Sequence, residues 1–221
     1  MRLTRELVDL IPAKIEDPGP MANVLELEAD NYLQRTTDDV LANLPDDDDL
    51  WVFAYGSLIW RSRFTRDARR NARVDGWQRK FCLGPDTRYR GNPDAPGYML
   101  SLLKGGQCEG VVLRMAKDVR DTELLSMIET EPPLPPVWID AQTPEGTVKC
   151  IAFVCPDSFL EELGKPSPEE LVKCLATAVG MFGSMPDYVL NTVQCLEESG
   201  IHDPYLWEMQ ERVAEYLEEM R

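Results

Sequence analysis

The stretch Phe53–Leu58, FAYGSL, is the first place in the chain where residue types and spacing suggest chemistry. A run of β-formers ends there at a Gly-Ser pair, and the chain is apolar again at once. Gly56 has no Cβ, so a ligand can approach the backbone closely. Successive N–H groups from Gly56 to Leu58 can form a small nest for an anion, although a simple turn would have the same sequence.

The rest of the chain narrows the chemistry by what it lacks. His202 is the one histidine, and its setting in GIHDPY is typical of a capping or surface residue. No CxxC pair, Walker-type loop or GxGxxG occurs, and the aspartates at 46–49 favour a solvated linker over a cation site. The sequence therefore predicts no metal and no cofactor. An enzyme of this kind would use a carboxylate, a lysine or a tyrosine for proton transfer, and backbone N–H groups to stabilise an anion.

Size and composition are typical of a globular protein with one good-sized core or two small ones. The chain has 221 residues, of which 43% are hydrophobic. It has no apolar run of about 18 residues, and its first 20 residues lack the apolar centre of a signal peptide. We therefore expect a cytoplasmic protein whose six cysteines are reduced.

The charge distribution is uneven. The net charge of −16 argues against binding to nucleic acid or to an anionic membrane. Residues 61–90 nevertheless contain ten Lys or Arg against three acids. This basic island has three interpretations: an anion site, an RNA-facing patch, or a surface that pairs with the protein's own acids.

Hydrophobic periodicity predicts an α+β protein. Residues 1–49 are predicted to form a helical arm, with its helix at 20–44, and an acidic linker; residues 50–221 form the main domain. Strands are predicted at 51–56, 72–83, 97–104, 108–116 and 148–155, with a hairpin turn at Gly105-Gly106. A helix capped by Asp118 spans 118–131, and the C-terminal third is helical, with caps at Ser167 and Ser184. Strands first and helices afterwards indicate α+β rather than alternating α/β.

Five motifs in order resemble the ChaC-type γ-glutamylcyclotransferases, which act on glutathione. They are FAYGSLIW (53–60), GWQRKFCL (76–83), YRGNPDAPGYMLSL (89–102), GQCEGVVLRM (106–115) and GMFGSMPDYVLNTVQCLEESGIHD (180–203). The resemblance implies a small closed β-barrel surrounded by helices, and cleavage of a γ-glutamyl amide to 5-oxoproline and the released amine. Such a reaction needs no protein nucleophile, because the substrate's own α-amine attacks its γ-carbonyl.

The same resemblance implies roles for individual residues. The loop of Tyr55, Gly56, Ser57 and Leu58 would bind the α-carboxylate of a small-molecule substrate. The basic island offers a ligand for the substrate's other carboxylate, and Arg90 is the candidate within it. A glutamate at the end of a helix would act as general base and then as general acid.

Two positions compete for the role of this glutamate. Aligning SMIETEP with the family pattern selects Glu131, and a shift of two residues selects Glu129. The chain departs from the family here, because Thr130 replaces an arginine and PPLPP (132–136) replaces a loop with Gly and Tyr. The alternatives are therefore the same reaction on another γ-glutamyl amide, or a weakly active member that binds a ligand or a partner protein.

Overall fold

The computed structural model describes residues 1–19, 29–45, 49–132, 134–157 and 166–221. These residues form two compact units. The first unit comprises the described residues of Met1–Ala22, Lys80–Ser101 and Cys155–Arg221, and the second those of Asn23–Arg79 and Leu102–Val154. The division of the chain into an arm of 1–49 and a domain of 50–221 stays a prediction.

Five strands close into a barrel, as the resemblance implies. Their order around the barrel is β1-β3-β2-β4-β5. β1 pairs antiparallel with β3 and parallel with β5, and β4 pairs antiparallel with β5. The strands are β1 (Trp51–Ala54), β2 (Arg66–Asp86), β3 (Gly97–Met115), β4 (Pro136–Thr143) and β5 (Gly146–Phe153). With the six helices found among the described residues, the protein has the predicted α+β class.

β1 has buried residues along its whole length, which explains its unbroken apolar sequence. Val52, Phe53 and Ala54 have no exposed surface. Ala54 lies opposite Val111 of β3 in the register, and Val52 lies opposite Ile151 of β5. A strand with neighbours on both edges and both faces covered is expected to be uniformly apolar. The end of β1 therefore has a well-determined position, and the Gly-Ser motif follows directly from it.

The structure corrects two local predictions about the middle of the chain and adds one strand. β3 runs as one strand through Gly105-Gly106, because both glycines have positive φ and bend the strand without ending it, as in a β-bulge. The strand β4 was not predicted, because the prolines at its start obscured it. Val119, rather than Asp118, is the N-cap of the helix that follows β3.

The predicted acidic linker lies mostly outside the described residues. Of its four aspartates the structure describes Asp49, which pairs with Arg114 at 3.0 Å and with Lys117 at 3.1 Å. It is therefore anchored to the barrel rather than solvated. The preceding helix α2 is described over Ala29–Ala42, and the first part of its predicted span falls outside the described residues.

The first unit contains the helical C-terminal third, as predicted. Ser167 forms a capping box with Glu170 at the start of its helix, and Ser184 and Asp203 cap the next two helices. A short N-terminal helix packs against the last two of these. The helices are α1 (Arg5–Val8), α4 (Pro168–Thr177), α5 (Met185–Glu198) and α6 (Pro204–Glu219); β6 (Val179–Gly180) and β7 (Gly183–Ser184) form a small separate sheet. None of the described helices has the length and apolar character needed to cross a bilayer.

The close packing of β3 on the end of β1 can be tested at Gly110. A Cβ at this position would lie 2.6 Å from the carbonyl oxygen of Ala54 and 3.0 Å from the Phe53 ring. We expect Gly110→Ala to lower the free energy of unfolding by about 1–3 kcal/mol, measured by urea denaturation. Glu109→Ala, at the neighbouring exposed position, is the control and should change it by no more than about 0.5 kcal/mol. Equal stability of the two variants would contradict the packing described.

Candidate functional site

The Gly-Ser motif forms a tight turn at the end of β1. Residues Ser57–Ile59 make one turn of 3₁₀ helix. The N–H of Ile59 donates to the carbonyl of Gly56 at 3.0 Å, and the N–H of Arg61 donates to the carbonyl of Ser57 at 2.8 Å. The leading N–H groups of such a turn have no acceptor within it, so those of Ser57 and Leu58 are suited to donate to a bound anion. Gly56 and Leu58 are buried, whereas Ser57 is half-buried.

Tyr55, the residue before the turn, is held at both ends. Its hydroxyl donates to the carbonyl of Phe153 at the end of β5, at 2.6 Å. Its own carbonyl accepts from Nη1 of Arg79 at 2.8 Å. Tyr55 is half-buried and belongs to the aromatic packing of the barrel. These two bonds hold Tyr55 rigidly, so the turn after it starts from a fixed point.

Arg79 is a residue that the sequence analysis did not single out. It is buried, and its Nη2 donates to the carbonyl of Glu109 and lies 3.4 Å from Sγ of Cys108. The sequence does contain a signal for this position. Arg79 is two residues from both Trp77 and Phe81 on β2, so the three side chains lie on the same face of the strand. An arginine suits this position because a guanidinium group has several N–H donors in a fixed geometry and can bind more than one carbonyl.

Glu131 lies where the α-helix α3 (Arg120–Thr130) ends. It is the C-cap, and its N–H donates to the carbonyls of Met127 and Ile128 at 3.2 and 3.3 Å. Leu124, Met127 and Ile128 form the buried face of α3, which packs against α2. The apolar anchoring of the helix therefore carries Glu131 into a half-buried position, whereas Glu129 is exposed.

The surroundings of Glu131 change its acidity. Burial raises the pKa of Glu131 from 4.5 to about 7, and the positive charge of Arg63 opposes this rise. A carboxyl group with a pKa near neutrality can both accept and donate a proton at physiological pH. Glu129 is exposed to solvent. The geometry therefore favours Glu131 of the two candidates, and its catalytic role stays a prediction.

The segment between the Gly-Ser turn and β2 links the turn to α3. At one end, Arg61 is bonded to the turn through Ser57. At the other, Thr65 donates from its N–H and hydroxyl to the carboxylate of Glu123 on α3, at 2.5 and 3.0 Å. Arg63 lies between these anchors and acts on Glu131 through its charge. The structure thus brings the predicted loop and the predicted base into one unit, connected by this segment.

Arg90 is described in a different setting. It belongs to the first unit, whereas Glu131 and residues 55–58 belong to the second. It is buried, its guanidinium lies 5.1 Å from the centre of the Tyr188 ring, and its N–H donates to the carboxylate of Asp86 at 2.7 Å. Its role as a substrate ligand stays a prediction.

Several members of the basic island pair with acids of the chain itself. Arg70 contacts Glu145 at 2.6 Å, and Arg88 contacts Asp17 at 2.6 Å. Arg79 is bonded inside the barrel. These contacts favour the third interpretation of the island, a surface that pairs with the protein's own acids, over a nucleic-acid interface.

The role of Arg79 can be tested by removing its charge. We expect Arg79→Met to lower the free energy of unfolding by about 2–4 kcal/mol, because two carbonyls lose a charged donor inside the barrel. Arg73→Met is the matched control, since Arg73 lies on the same strand and makes an exposed ion pair with Asp75. It should cost no more than about 1 kcal/mol in urea denaturation. A similar loss in both variants would show that Arg79 is not an internal anchor.

The raised pKa of Glu131 also predicts how stability depends on pH. Between pH 4.5 and 7 the folded protein retains a proton that the unfolded chain has released, so stability falls as the pH rises through this window. Glu131→Gln removes this cost. Its free energy of unfolding should exceed that of the wild type by about 1–3 kcal/mol at pH 8, and by less at pH 5.5. Glu129→Gln should match the wild type at both values. A pH-independent difference for Glu131→Gln would contradict the raised pKa.

Comparison with known structures supports the fold. The crystal structure of the glutathione-specific γ-glutamyl cyclotransferase from yeast superimposes with a TM-score of 0.67 at 18% identity. The match covers 76% of this chain and 96% of the yeast chain. At this level of identity, the similarity establishes a common fold.

Comparison of sequences identifies the family. The glutathione-specific γ-glutamylcyclotransferase of Escherichia coli (strain K12) is 30% identical over 183 residues, which cover 81% of this chain and 79% of the relative. γ-Glutamylcyclotransferase 2-3 of Arabidopsis thaliana is 29% identical over 182 residues, 77% of this chain and 91% of the relative. The family model for ChaC-like proteins matches residues 50–216, which include the barrel, the Gly-Ser turn and Glu131. The chain therefore belongs to the ChaC-like protein family.

Proposed function

We propose that this protein is a γ-glutamylcyclotransferase that converts glutathione to 5-oxoproline and Cys-Gly. The observation that carries the proposal is Glu131, a half-buried carboxyl group at the end of α3 whose pKa lies near neutrality. The names of the relatives from Escherichia coli and Arabidopsis thaliana support the reaction, and the first of these names supports glutathione as the substrate.

The reaction requires one proton acceptor and one proton donor. The ionised carboxylate of Glu131 takes a proton from the substrate's α-ammonium group, and the free amine attacks the γ-carbonyl carbon. A C–N bond forms within the γ-glutamyl moiety, and the amide bond to the cysteine nitrogen then breaks. Glu131 returns its proton to this leaving nitrogen, so the carboxylate is regenerated. Because the attack is intramolecular, holding the γ-glutamyl chain in a folded conformation supplies much of the rate.

The turn after β1 would hold the acidic end of the γ-glutamyl group. We assign the substrate's α-carboxylate to the N–H groups of the segment Tyr55, Gly56, Ser57 and Leu58, whose position depends on the bonds of Tyr55 to Phe153 and Arg79. Negative charge also develops on the γ-carbonyl oxygen during the attack. Backbone N–H groups that are oriented before the reaction would stabilise this charge. We assign the glycine carboxylate of glutathione to Arg90, a cation of the basic island.

Residues 132–136 favour a second candidate function. This PPLPP segment follows Glu131 directly, and its prolines lack N–H donors and have a fixed φ. Of its residues the structure describes Leu134, which is buried, and the flanking prolines other than residue 133. A stiff segment next to Glu131 suits a substrate whose amine portion differs from the Cys-Gly of glutathione. The alternative substrate is therefore another γ-glutamyl amide.

Two further assignments complete the proposal. We place the catalytic domain at residues 50–221, supported by the start of the family match at residue 50. We also propose a cytoplasmic location, supported by six free thiols in the described chain, three of them buried.

Incubation of the purified protein with glutathione, followed by mass spectrometry of 5-oxoproline and Cys-Gly, tests the reaction. We expect product from the wild type and from Glu129→Gln, and a loss of about 10²–10⁴-fold in kcat for Glu131→Gln. The rate should rise with pH through about 7, because the reaction starts from the ionised carboxylate of Glu131.

The outcomes separate the alternatives. Loss of activity in Glu129→Gln alone would identify Glu129, rather than Glu131, as the general base. Absence of product from glutathione, with turnover of γ-glutamyl-amino acid dipeptides, would identify the second candidate. Absence of turnover with every γ-glutamyl compound would leave a binding protein.

A further inference from the structure

Arg90, to which the proposed function assigns a substrate carboxylate, is almost completely enclosed within the first unit. Only 5% of its surface is exposed, and its guanidinium lies 5.1 Å from the centre of the buried Tyr188 ring. An arginine binds a carboxylate through direct contacts from its N–H groups to the carboxylate oxygens. Part of what encloses Arg90 must therefore move before a substrate carboxylate can reach it.

The surroundings of Gly183 show which segment of the chain lies near the guanidinium. A Cβ on Gly183 would lie 2.9 Å from Nη1 of Arg90 and 3.5 Å from the carbonyl oxygen of Ala13. Both atoms thus border the same small space, which stays open because residue 183 has no side chain. Residues 11–17, here termed the N-terminal strap, therefore pass close to the guanidinium of Arg90. The strap, Arg90 and Gly183 all belong to the first unit.

Two contacts attach the N-terminal strap to its surroundings. The N–H of Ile15 donates to the carbonyl of Gly180 at 3.3 Å. The carboxylate of Asp17 accepts from Nε and Nη2 of Arg88, at 2.8 and 2.6 Å. Both side chains of this ion pair are partly exposed, and exposed ion pairs contribute little to stability. The Asp17–Arg88 pair can therefore open without unfolding the unit.

The small sheet and the helix α5 next to Arg90 are held more firmly than the strap. The N–H groups of Met181 and Phe182 donate to the carbonyls of Arg88 and Tyr89, at 2.9 and 2.8 Å. Gly183 and Tyr188 are buried, whereas Ala13 and Asp17 are exposed. Regions with few buried contacts open at a lower free-energy cost than buried ones. Of these neighbours of Arg90, the strap is the one suited to move.

The N-terminal strap also lies outside the part of the chain that the family model matches. That match covers residues 50–216, and so includes Arg88, Arg90 and residues 180–183. The shared fold thus provides the arginine, and a segment outside the family match lies beside it. This arrangement suits a control that acts on substrate binding and leaves the reaction itself unchanged.

We propose that the N-terminal strap controls access of a substrate carboxylate to Arg90: it covers the guanidinium while Asp17 is paired with Arg88, and uncovers it when this pair opens. The identity of the carboxylate, the glycine carboxylate of glutathione, rests on the proposed function. A ligand that needs a partly populated open state binds with a correspondingly weakened apparent affinity. Weakening the Asp17–Arg88 pair therefore favours binding of a substrate that carries this carboxylate.

Variants of the ion pair test whether the strap covers Arg90. Asp17→Lys places a like charge beside Arg88, and the double variant Asp17→Lys/Arg88→Glu restores a pair of reversed polarity. Arg5→Gln is the control, because it breaks the ion pair of the N-terminal segment with Asp187, 2.5 Å long, and leaves the strap contacts intact. The readout is the rate at which phenylglyoxal modifies Arg90, followed by peptide mass spectrometry. We expect this rate to rise about 3–10-fold in Asp17→Lys and to stay at the wild-type value in the double variant and in Arg5→Gln.

Kinetics with two substrates test whether the strap acts on the carboxylate. Glutathione is compared with glutathione amide, in which a neutral carboxamide replaces the glycine carboxylate. In Asp17→Lys we expect KM for glutathione to fall about 3–10-fold, with kcat unchanged, because the open state is more populated. KM for glutathione amide should stay at the wild-type value. The double variant Asp17→Lys/Arg88→Glu should return KM for glutathione to that of the wild type.

An unchanged modification rate of Arg90 in Asp17→Lys would overturn the proposal. An unchanged KM for glutathione would also overturn it, and so would an equal fall in KM for glutathione and its amide. If the wild type turns over no γ-glutamyl compound, the proposed function fails. Faster modification of Arg90 in Asp17→Lys, reversed in the double variant, would even then establish that the strap covers this arginine.

Discussion

The buried guanidinium of Arg79 is the contact on which the geometry of the candidate site depends most directly. It extends from β2 and binds the carbonyl of Tyr55 at the end of β1 and the carbonyl of Glu109 on β3. These three strands are neighbours in the barrel order β1-β3-β2, so one side chain ties them together where the Gly-Ser turn begins. The anion binding proposed for this turn needs N–H groups whose directions are set before the ligand arrives. The bonds of Arg79 and Phe153 to Tyr55 supply that rigidity.

The position of Glu131, in contrast, lowers the stability of the folded protein. Its anchoring comes from the apolar face of α3, which draws the end of the helix inward regardless of what residue follows. The carboxyl group is thereby partly removed from water, and the charged form becomes less favourable. The same desolvation that raises its pKa makes it able to exchange protons near pH 7. A free-energy cost at a single residue is thus an intrinsic part of the chemistry proposed for it.

The features shared with the ChaC-like family maintain the fold, whereas the departures from the family pattern lie next to Glu131. The barrel, the Gly-Ser turn and the capped C-terminal helices maintain a fold that tolerates many substitutions, as the 18% identity to the yeast structure illustrates. Thr130 and the prolines of 132–136 adjoin Glu131 itself. Thr130 bonds its hydroxyl to the carbonyl of Met127, at 3.0 Å, and so closes the last turn of the helix. It cannot supply the charge of an arginine there, whereas Arg63 brings a charge to Glu131 from another part of the chain.

The α+β class, the family, the turn at residues 55–58 and two candidate bases could be predicted from the sequence alone. Those features depend on local patterns: apolar runs, caps such as Ser167, and an ordered series of motifs. The different environments of Glu129 and Glu131 could not be predicted in this way, because burial depends on how α3 packs and not on the neighbouring residues in the sequence. The same holds for the anchoring by Arg79 and for the charge of Arg63 near Glu131, 68 positions away in the sequence. The unbroken course of β3 through Gly105-Gly106 also required the structure, since positive φ at glycine serves a bulge as well as a turn. Electrostatics and desolvation act through space, and a linear pattern contains no direct record of such distances.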